Sequence, residues 1–259
     1  MMENVAVASD REVAEPLAEE RRIRIELAAV YRIFARMGLD DLIYTHISAR
    51  LPGDEPRFLI NPFGLMYEEV CASNLVEIDL DGNPVHANSY PVNHAGFVIH
   101  SAFHGGTEGA DCVVHLHSDD GCAVAGRQDG LLPVSQFYFF SGGGVAYHDY
   151  EGLALDAEEK TRLVGHLGDK KWMVLRNHGL LTVGRTVAEA FFHMYNFERA
   201  CRIQMRAMAG GAGLQIPPPA VQAKTEAQRP VGLDLGKWGE QELAAWMRKL
   251  DREEPDYRD

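Results

Sequence analysis

The segment ADCVVHLHS, residues 110–118, places two histidines at the end of a short apolar run. Cys112, Val113 and Val114 predict a buried strand, because short apolar runs rich in β-branched residues are typical of sheet cores. Alternate residues of a strand face the same side, so His115 and His117 would project together. The pair therefore indicates either a metal site or two rings that face solvent.

A second segment, RNHGLL at residues 176–181, places His178 at a glycine-flanked bend between two apolar stretches. Bends at strand ends often carry functional side chains, because a rigid scaffold positions them. Three histidines with an open coordination position form a catalytic metal arrangement, whereas structural zinc sites more often use cysteines. None of the four cysteines has a suitable spacing. We therefore predict a divalent metal held by His115, His117 and His178.

The remaining pattern predicts strands and helices without a regular β-α-β alternation, which favours one layered α/β domain with a C-terminal tail. We expect a flexible N-terminus over 1–18, the main domain over 19–210, and a C-terminal linker and helix over 211–259 that packs on the domain or on a neighbouring subunit. The predicted strands lie at 44–51, 57–64, 75–82, 110–118 and twice within 171–184, and the predicted helices at 19–37, 93–105, 157–168, after Thr186 and near the C-terminus.

Composition excludes several classes of partner. The formal net charge is −13, whereas nucleic-acid binding requires a basic surface, and acidic proteins are repelled by anionic membranes. The first residues lack the pattern of a signal peptide, and no apolar run reaches the roughly 18 residues of a membrane span. The cysteines form no CxxC pair and fit reduced thiols. We expect a soluble, cytoplasmic protein with a small-molecule substrate.

Taken together, VVHLHS, RNHGLL and the 63-residue separation of His115 and His178 resemble the class II aldolase/adducin family. INPFGLMYEE, NLVEIDLDGNPV and VAYHDYEG extend the resemblance over about residues 20–210. It implies a three-layer α/β/α sandwich around a central, mainly antiparallel sheet, often in a homotetramer with active sites between subunits. It also implies that the three matching histidines bind a divalent metal, usually Zn²⁺, with Mn²⁺ or Fe²⁺ as alternatives.

The chain departs from the family's sugar-phosphate aldolases at their acid/base. Those enzymes carry a glutamate 19 residues before the first metal histidine, and Gly96 stands at that position here. Proton abstraction would need another base. His94 and His100 are candidate catalytic replacements, although residues six apart do not share a helix face. A structural polar contact is the alternative for each.

The phosphate pocket differs too. His46, Phe63 and His94-Ala95 stand where the aldolases carry polar phosphate ligands, so we expect a non-phosphorylated substrate. We predict substrate contacts from His46, Arg50, Phe63 and Gly64, and Arg176 could also meet a carboxylate. Tyr138 matches a tyrosine that reaches a neighbouring active site in the aldolases. A role in the apolar core is its alternative.

These features predict a metal-dependent lyase that performs retro-aldol cleavage or decarboxylation on a small hydroxy or keto acid, with the metal as Lewis acid. One group of relatives resembles non-haem iron oxygenases of aromatic keto acids, which is a second possibility. A third is a non-catalytic assembly module, because adducin uses this domain for assembly and has lost the metal site. A metal that only steadies a subunit interface is a fourth. The three retained histidines favour the enzyme.

Overall fold

The computed structural model describes residues 10–86, 90–153, 158–232 and 237–259. The helices in this part of the chain are α1 (Asp10–Met37), α2 (His94–Gly106), α3 (Asp119–Ala125), α4 (Glu159–Leu167), α5 (Val187–Ala209), α6 (Pro219–Gly232) and α7 (Glu240–Glu253). The strands are β1 (His46–Arg50), β2 (Arg57–Ile60), β3 (Val76–Asp79), β4 (Cys112–Leu116), β5 (Val145–His148), β6 (Trp172–Leu175) and β7 (Gly179–Gly184).

The strands form one sheet in the order β3-β2-β1-β4-β7-β6-β5. All neighbours are antiparallel except β5 and β6, which run parallel. The predicted mainly antiparallel sheet is therefore confirmed. Strand β4 is central, between β1 and β7, and His46 of β1 lies directly opposite His115 of β4.

Helices cover both faces of the sheet. Cys112, Val114 and Leu116 pack into the larger apolar cluster, which includes residues of α1, α3, α5 and α7. Val113 packs into a separate cluster with residues of α2 and α4. Since strand residues alternate between faces, His115 points toward α2. The three-layer α/β/α sandwich is confirmed. The histidine pair faces the layer that contains α2 and α4.

Two boundaries differ from the sequence predictions. Helix α1 begins at Asp10, inside the segment predicted to be flexible, and α6 begins at Pro219, within the segment 211–259 for which a linker and one helix were predicted. Pro219 is the first residue of α6, a position at which the missing amide hydrogen costs no intrahelical bond. Pro217 and Pro218 end a segment without regular secondary structure, and Pro219 begins a helix that was not predicted from the sequence.

The C-terminal helix packs on the body of the domain. Leu243 and Leu250 of α7 are buried in the larger cluster, and Arg36 of α1 forms ion pairs with Glu253 and Glu254. Among the residues described, no helix combines the length and the apolar character needed to cross a bilayer.

Candidate metal centre

Three histidines converge where β4 ends and the β6–β7 bend passes beside it. The potential ligand nitrogens of His115, His117 and His178 all lie within 4.8 Å of one another. Their rings are almost equidistant, with centroids separated by 4.7, 4.7 and 4.8 Å. The structure therefore brings together the three residues that the sequence predicted.

Backbone and carboxylate acceptors orient two of these rings. The Nδ1 of His115 lies 3.0 Å from the Leu180 carbonyl oxygen, and that of His117 lies 2.9 Å from a carboxylate oxygen of Asp41. Both acceptors require a hydrogen on Nδ1, which leaves the lone pair on Nε2. This hydrogen-bonding pattern is the one that metal-ligating histidines commonly show.

The resulting arrangement fits a cation. The Nε2 atoms of His115 and His117 are 2.9 Å apart, and the outer hydrogen bonds assign a lone pair to each. Two facing lone pairs repel unless a positive charge lies between them. Two imidazoles on one tetrahedral zinc ion would place these atoms about 3.3 Å apart, from bonds of about 2.05 Å. A small adjustment would therefore accommodate a divalent ion.

Burial keeps the rings of His115 and His178 neutral. Desolvation, with repulsion from neighbouring histidines, places the pKa of His115 well below its usual value and lowers that of His178 to about 4. Neutral imidazole is the form that binds metal, because a protonated ring has no lone pair to offer. His115 and His178 are thus in their metal-binding form near neutral pH.

The backbone around the site is locally constrained. Asn177, directly before His178, and Thr45, directly before His46, both have positive φ, at 56° and 62°. Non-glycine residues rarely adopt this conformation, and it persists where surrounding structure enforces it. Gly179 has no room for a side chain, since a Cβ would lie 2.4 Å from the Leu116 carbonyl oxygen. These features fix the backbone position from which the His178 side chain projects.

His46 occupies the space beside Gly96. A Cβ built on Gly96 would lie 2.5 Å from His46 Nε2, so a larger residue in α2 would collide with this ring. The ring is stacked on His115, with centroids 6.0 Å apart, and Asn93 Nδ2 lies 3.0 Å from its Nε2. The position where the aldolases carry glutamate is therefore filled from β1, by an imidazole.

A row of buried side chains lies behind His46. His104 donates from Nδ1 to the Ala110 carbonyl at 2.8 Å, so its Nε2 accepts from the Ser48 hydroxyl at 2.6 Å. Ser48 in turn accepts from His100 Nδ1 at 2.6 Å. The Nε2 of His100 then carries a lone pair, is buried, and has no hydrogen-bond partner among the described residues.

This placement corrects the prediction for His100. Its ring is fully enclosed between α2 and the sheet and does not line the cavity beside the metal ligands. His94 begins α2, but its side chain lies outside the described residues. Of the two proposed substitutes for the glutamate, His100 is separated from the site by His46.

The three histidines open into a cavity of about 620 Å³. His46 and Phe63 line it, as predicted for substrate-binding residues. Four other candidates do not. Arg50 lies at the far end of β1 and Gly64 turns the chain with φ 105°. Tyr138 is half-buried against the larger cluster, and Arg176 donates to the Arg127 carbonyl.

Sequence reasoning missed Asp41 and Asn93. Asp41 lies in an irregular loop beside Asp40, and Leu42 there has a φ of 50°, so no periodicity indicated which carboxylate faces the site. Asn93 precedes α2, where an asparagine would ordinarily indicate a helix cap. Asp41 acquires its role only where its loop approaches His117 after β4, and Asn93 only where its segment approaches His46 of β1.

Comparisons with known proteins agree with this fold and site. The model of the family described as Class II Aldolase and Adducin N-terminal domain matches residues 25–205, and the chain belongs to that family. A Caulobacter vibrioides protein whose name assigns it to aldolase class 2 is 47% identical, with 93% of each chain covered. Alpha-adducin of Rattus norvegicus is 44% identical over 90% of this chain but only 33% of its own length.

Two solved structures extend the comparison. An aldolase II superfamily protein from Pseudomonas syringae is 46% identical with a TM-score of 0.88, covering 93% of this chain and 96% of its own. An L-fuculose 1-phosphate aldolase from Glaciozyma antarctica PI12 is 25% identical with a TM-score of 0.81, covering 99% of this chain and 97% of its own. The predicted family and fold are confirmed.

Replacing Asp41 with alanine should weaken metal binding about 10- to 100-fold, the usual cost of losing an outer hydrogen bond to a ligand. His117 would lose the acceptor that fixes its tautomer and ring orientation. Competition with a chelator of known affinity measures the change. The matched control is Asp40→Ala, which removes the neighbouring carboxylate; an equal loss in both variants would contradict the specific role of Asp41.

Glu198 should make stability depend on pH. Burial raises the pKa of this carboxyl to about 7, although Ser118, directly after His117, donates a hydrogen bond to it. Its native pKa exceeds its unfolded value near 4.5, so stability falls as pH rises from about 4.5 to 7. The penalty above pH 7 is on the order of 3 kcal/mol. Glu198→Gln should flatten this dependence in denaturant titrations between pH 5 and 8; an unchanged slope would contradict it.

Proposed function

We propose that the protein is a metal-dependent carbon–carbon lyase that performs retro-aldol cleavage or decarboxylation on a small, non-phosphorylated hydroxy or keto acid. The observation that carries this proposal is the convergence of three imidazoles, two of them oriented by outer hydrogen bonds, on one wall of a cavity. Family membership and the likeness to an L-fuculose 1-phosphate aldolase support the reaction class.

His115, His117 and His178 would hold the metal, and Zn²⁺ suits three imidazoles with an open position. A divalent ion there would supply Lewis-acid polarisation of a substrate carbonyl or hydroxyl oxygen. Mn²⁺ and Fe²⁺ are alternatives. The chain's own contribution is to keep His115 and His178 neutral, to orient His115 and His117 through outer hydrogen bonds, and to enclose the substrate beside them.

The lining of the cavity supports a substrate without phosphate. No lysine or arginine is among the described residues that line it, and its only carboxylate, Asp41, is paired with His117. A phosphate group carries close to two negative charges and normally binds arginine, lysine or several backbone amides. His46 and Phe63 stand where the aldolases carry polar phosphate ligands, and neither is a lysine or an arginine.

His46 and Asn93 are the polar side chains placed to contact such a substrate beside the metal ligands. Tyr138 remains proposed as a contributor from a neighbouring subunit of a homotetramer, since its hydroxyl does not reach the cavity of its own chain. A cytoplasmic location also belongs to the proposal, supported by four cysteines that form no disulfide.

A non-catalytic assembly module is the second candidate, favoured by the 44% identity to alpha-adducin. Retention of an oriented histidine triad argues against it. The iron-oxygenase alternative is less favoured, because its usual ligand set contains one carboxylate and the only cluster found among the described residues consists of histidines alone.

The test is turnover by metal-loaded protein on a panel of 2-keto and 3-hydroxy acids, with detection of released CO₂ and aldehyde. The matched control is His178→Ala, which removes one candidate ligand that is half-buried at the β6–β7 bend and lies outside β4. We expect product from the parent and about none from the variant. Release of neither product would contradict the lyase, and efficient cleavage of a phosphorylated sugar would contradict the substrate class.

A further inference from the structure

Large apolar side chains are concentrated around the metal centre. Tyr44, Tyr150 and Leu153 are among the most exposed hydrophobic residues of the described chain, and all three line the same cavity. Phe63 and Ile99 continue this wall toward the histidines. Single exposed apolar residues need no explanation, but a contiguous group at the mouth of a polar site marks a binding surface.

Charge limits what this wall can contact. Asp41 is the only charged residue among the described residues of the cavity, and its carboxylate accepts from His117. A second anionic group on the ligand would find no cation to pair with. A cationic group would have to compete for a carboxylate that already orients a metal ligand. The wall is thus complementary to an uncharged group.

Resting on the proposed function, we infer that the substrate carries an uncharged aromatic or branched apolar group, which packs against Tyr44, Phe63 and Tyr150 while its acid end meets the metal. The cavity volume of about 620 Å³ lies within the usual range for small-molecule sites and exceeds the need of a two- or three-carbon acid. The apolar wall is continuous with the histidines, so one molecule can contact both.

The group that packs against the apolar wall is therefore part of the substrate itself. The wall selects substrates whose side group is large and uncharged. Phe63 is the residue best placed to test this selection. It is half-buried, and it lies in a turn, where its amide donates to the Pro91 carbonyl at 3.0 Å. Its substitution leaves the three apolar clusters found among the described residues intact, because none of them includes it.

The experiment compares lactate with 3-phenyllactate, two hydroxy acids that differ by one phenyl ring, by calorimetry on the protein as purified. Metal content is measured on the same samples. We expect 3-phenyllactate to bind at least about tenfold tighter, since burying a phenyl ring is worth roughly that factor or more. In Phe63→Arg the preference should fall to about threefold or less, and phosphoglycolate should gain affinity over glycolate.

The control is Val221→Ala, at an exposed apolar residue of α6 outside the cavity, which should keep the full preference. Equal binding of the two acids, or binding of neither, would overturn the inference. So would a Tyr150→Ser variant that dissociates an oligomer without changing the preference, because the wall would then be an interface between copies. A phenyl preference in protein that holds no metal would refute the metal centre and leave the inference standing.

Discussion

Replacement of His115 by alanine is expected to reduce bound divalent metal from about one ion per chain to about none. His115 is buried at the centre of the sheet, and its Nε2 faces that of His117 at 2.9 Å. Only His117 and His178 would remain, and two imidazoles without a third protein ligand hold a divalent ion weakly. Elemental analysis of purified protein measures the result directly.

The control for this experiment is His86→Ala, which removes a well-exposed histidine that forms an ion pair with Glu77, away from the three histidines. Its metal content should equal that of the parent. Full metal occupancy in His115→Ala would refute the site, as would a parent protein that contains no divalent metal after purification without chelators.

Gly96→Ala is expected to destabilise the fold, which is opposite to the usual effect of this change inside a helix. Alanine normally stabilises a helix interior by about 0.5–1 kcal/mol relative to glycine. Here the added methyl would lie 2.5 Å from His46 Nε2, and overpacking of this kind costs about 1–3 kcal/mol. We expect a net loss of about 1–2 kcal/mol, measured by denaturant unfolding.

Gly165→Ala provides the matched control. Gly165 lies inside α4, and a Cβ there would meet nothing within 4 Å, so this variant should gain stability. His46→Ala combined with Gly96→Ala should recover part of the loss, because the collision disappears. Equal stabilisation by alanine at both glycines would show that His46 does not occupy the space beside Gly96.

The three candidate metal ligands could be predicted because the sequence pattern around each of them is local. His115 and His117 alternate at the end of an apolar strand, and His178 lies at a bend marked by Gly179. A few consecutive residues are therefore enough to predict each position. The mainly antiparallel sheet could be predicted because short apolar segments indicate its strands. Helix α6 could not, because the prolines that precede it also suit a linker.

The surroundings of the ligands depend on contacts between distant segments and could not be read in this way. His46 meets Gly96 only because β1 and α2 pack together, and Asp41 reaches His117 across a loop with unusual backbone angles. The sequence showed that the glutamate of the aldolases is absent, and the two substitutes that it suggested, His94 and His100, both lie on α2. The ring that fills the space comes from another element, 50 residues earlier in the chain.

Two of the candidate ligands are neighbours in sequence and the third is distant, and this separation has a thermodynamic consequence. His115 and His117 remain neighbours in an unfolded chain, whereas His178 joins them only when β7 pairs with β4. Free metal would therefore stabilise the native state by mass action, but less than its native affinity alone implies, because the unfolded His-Leu-His segment also retains some of it. Raising the metal concentration should shift the unfolding midpoint upward until this residual binding becomes appreciable, after which each further increment yields less.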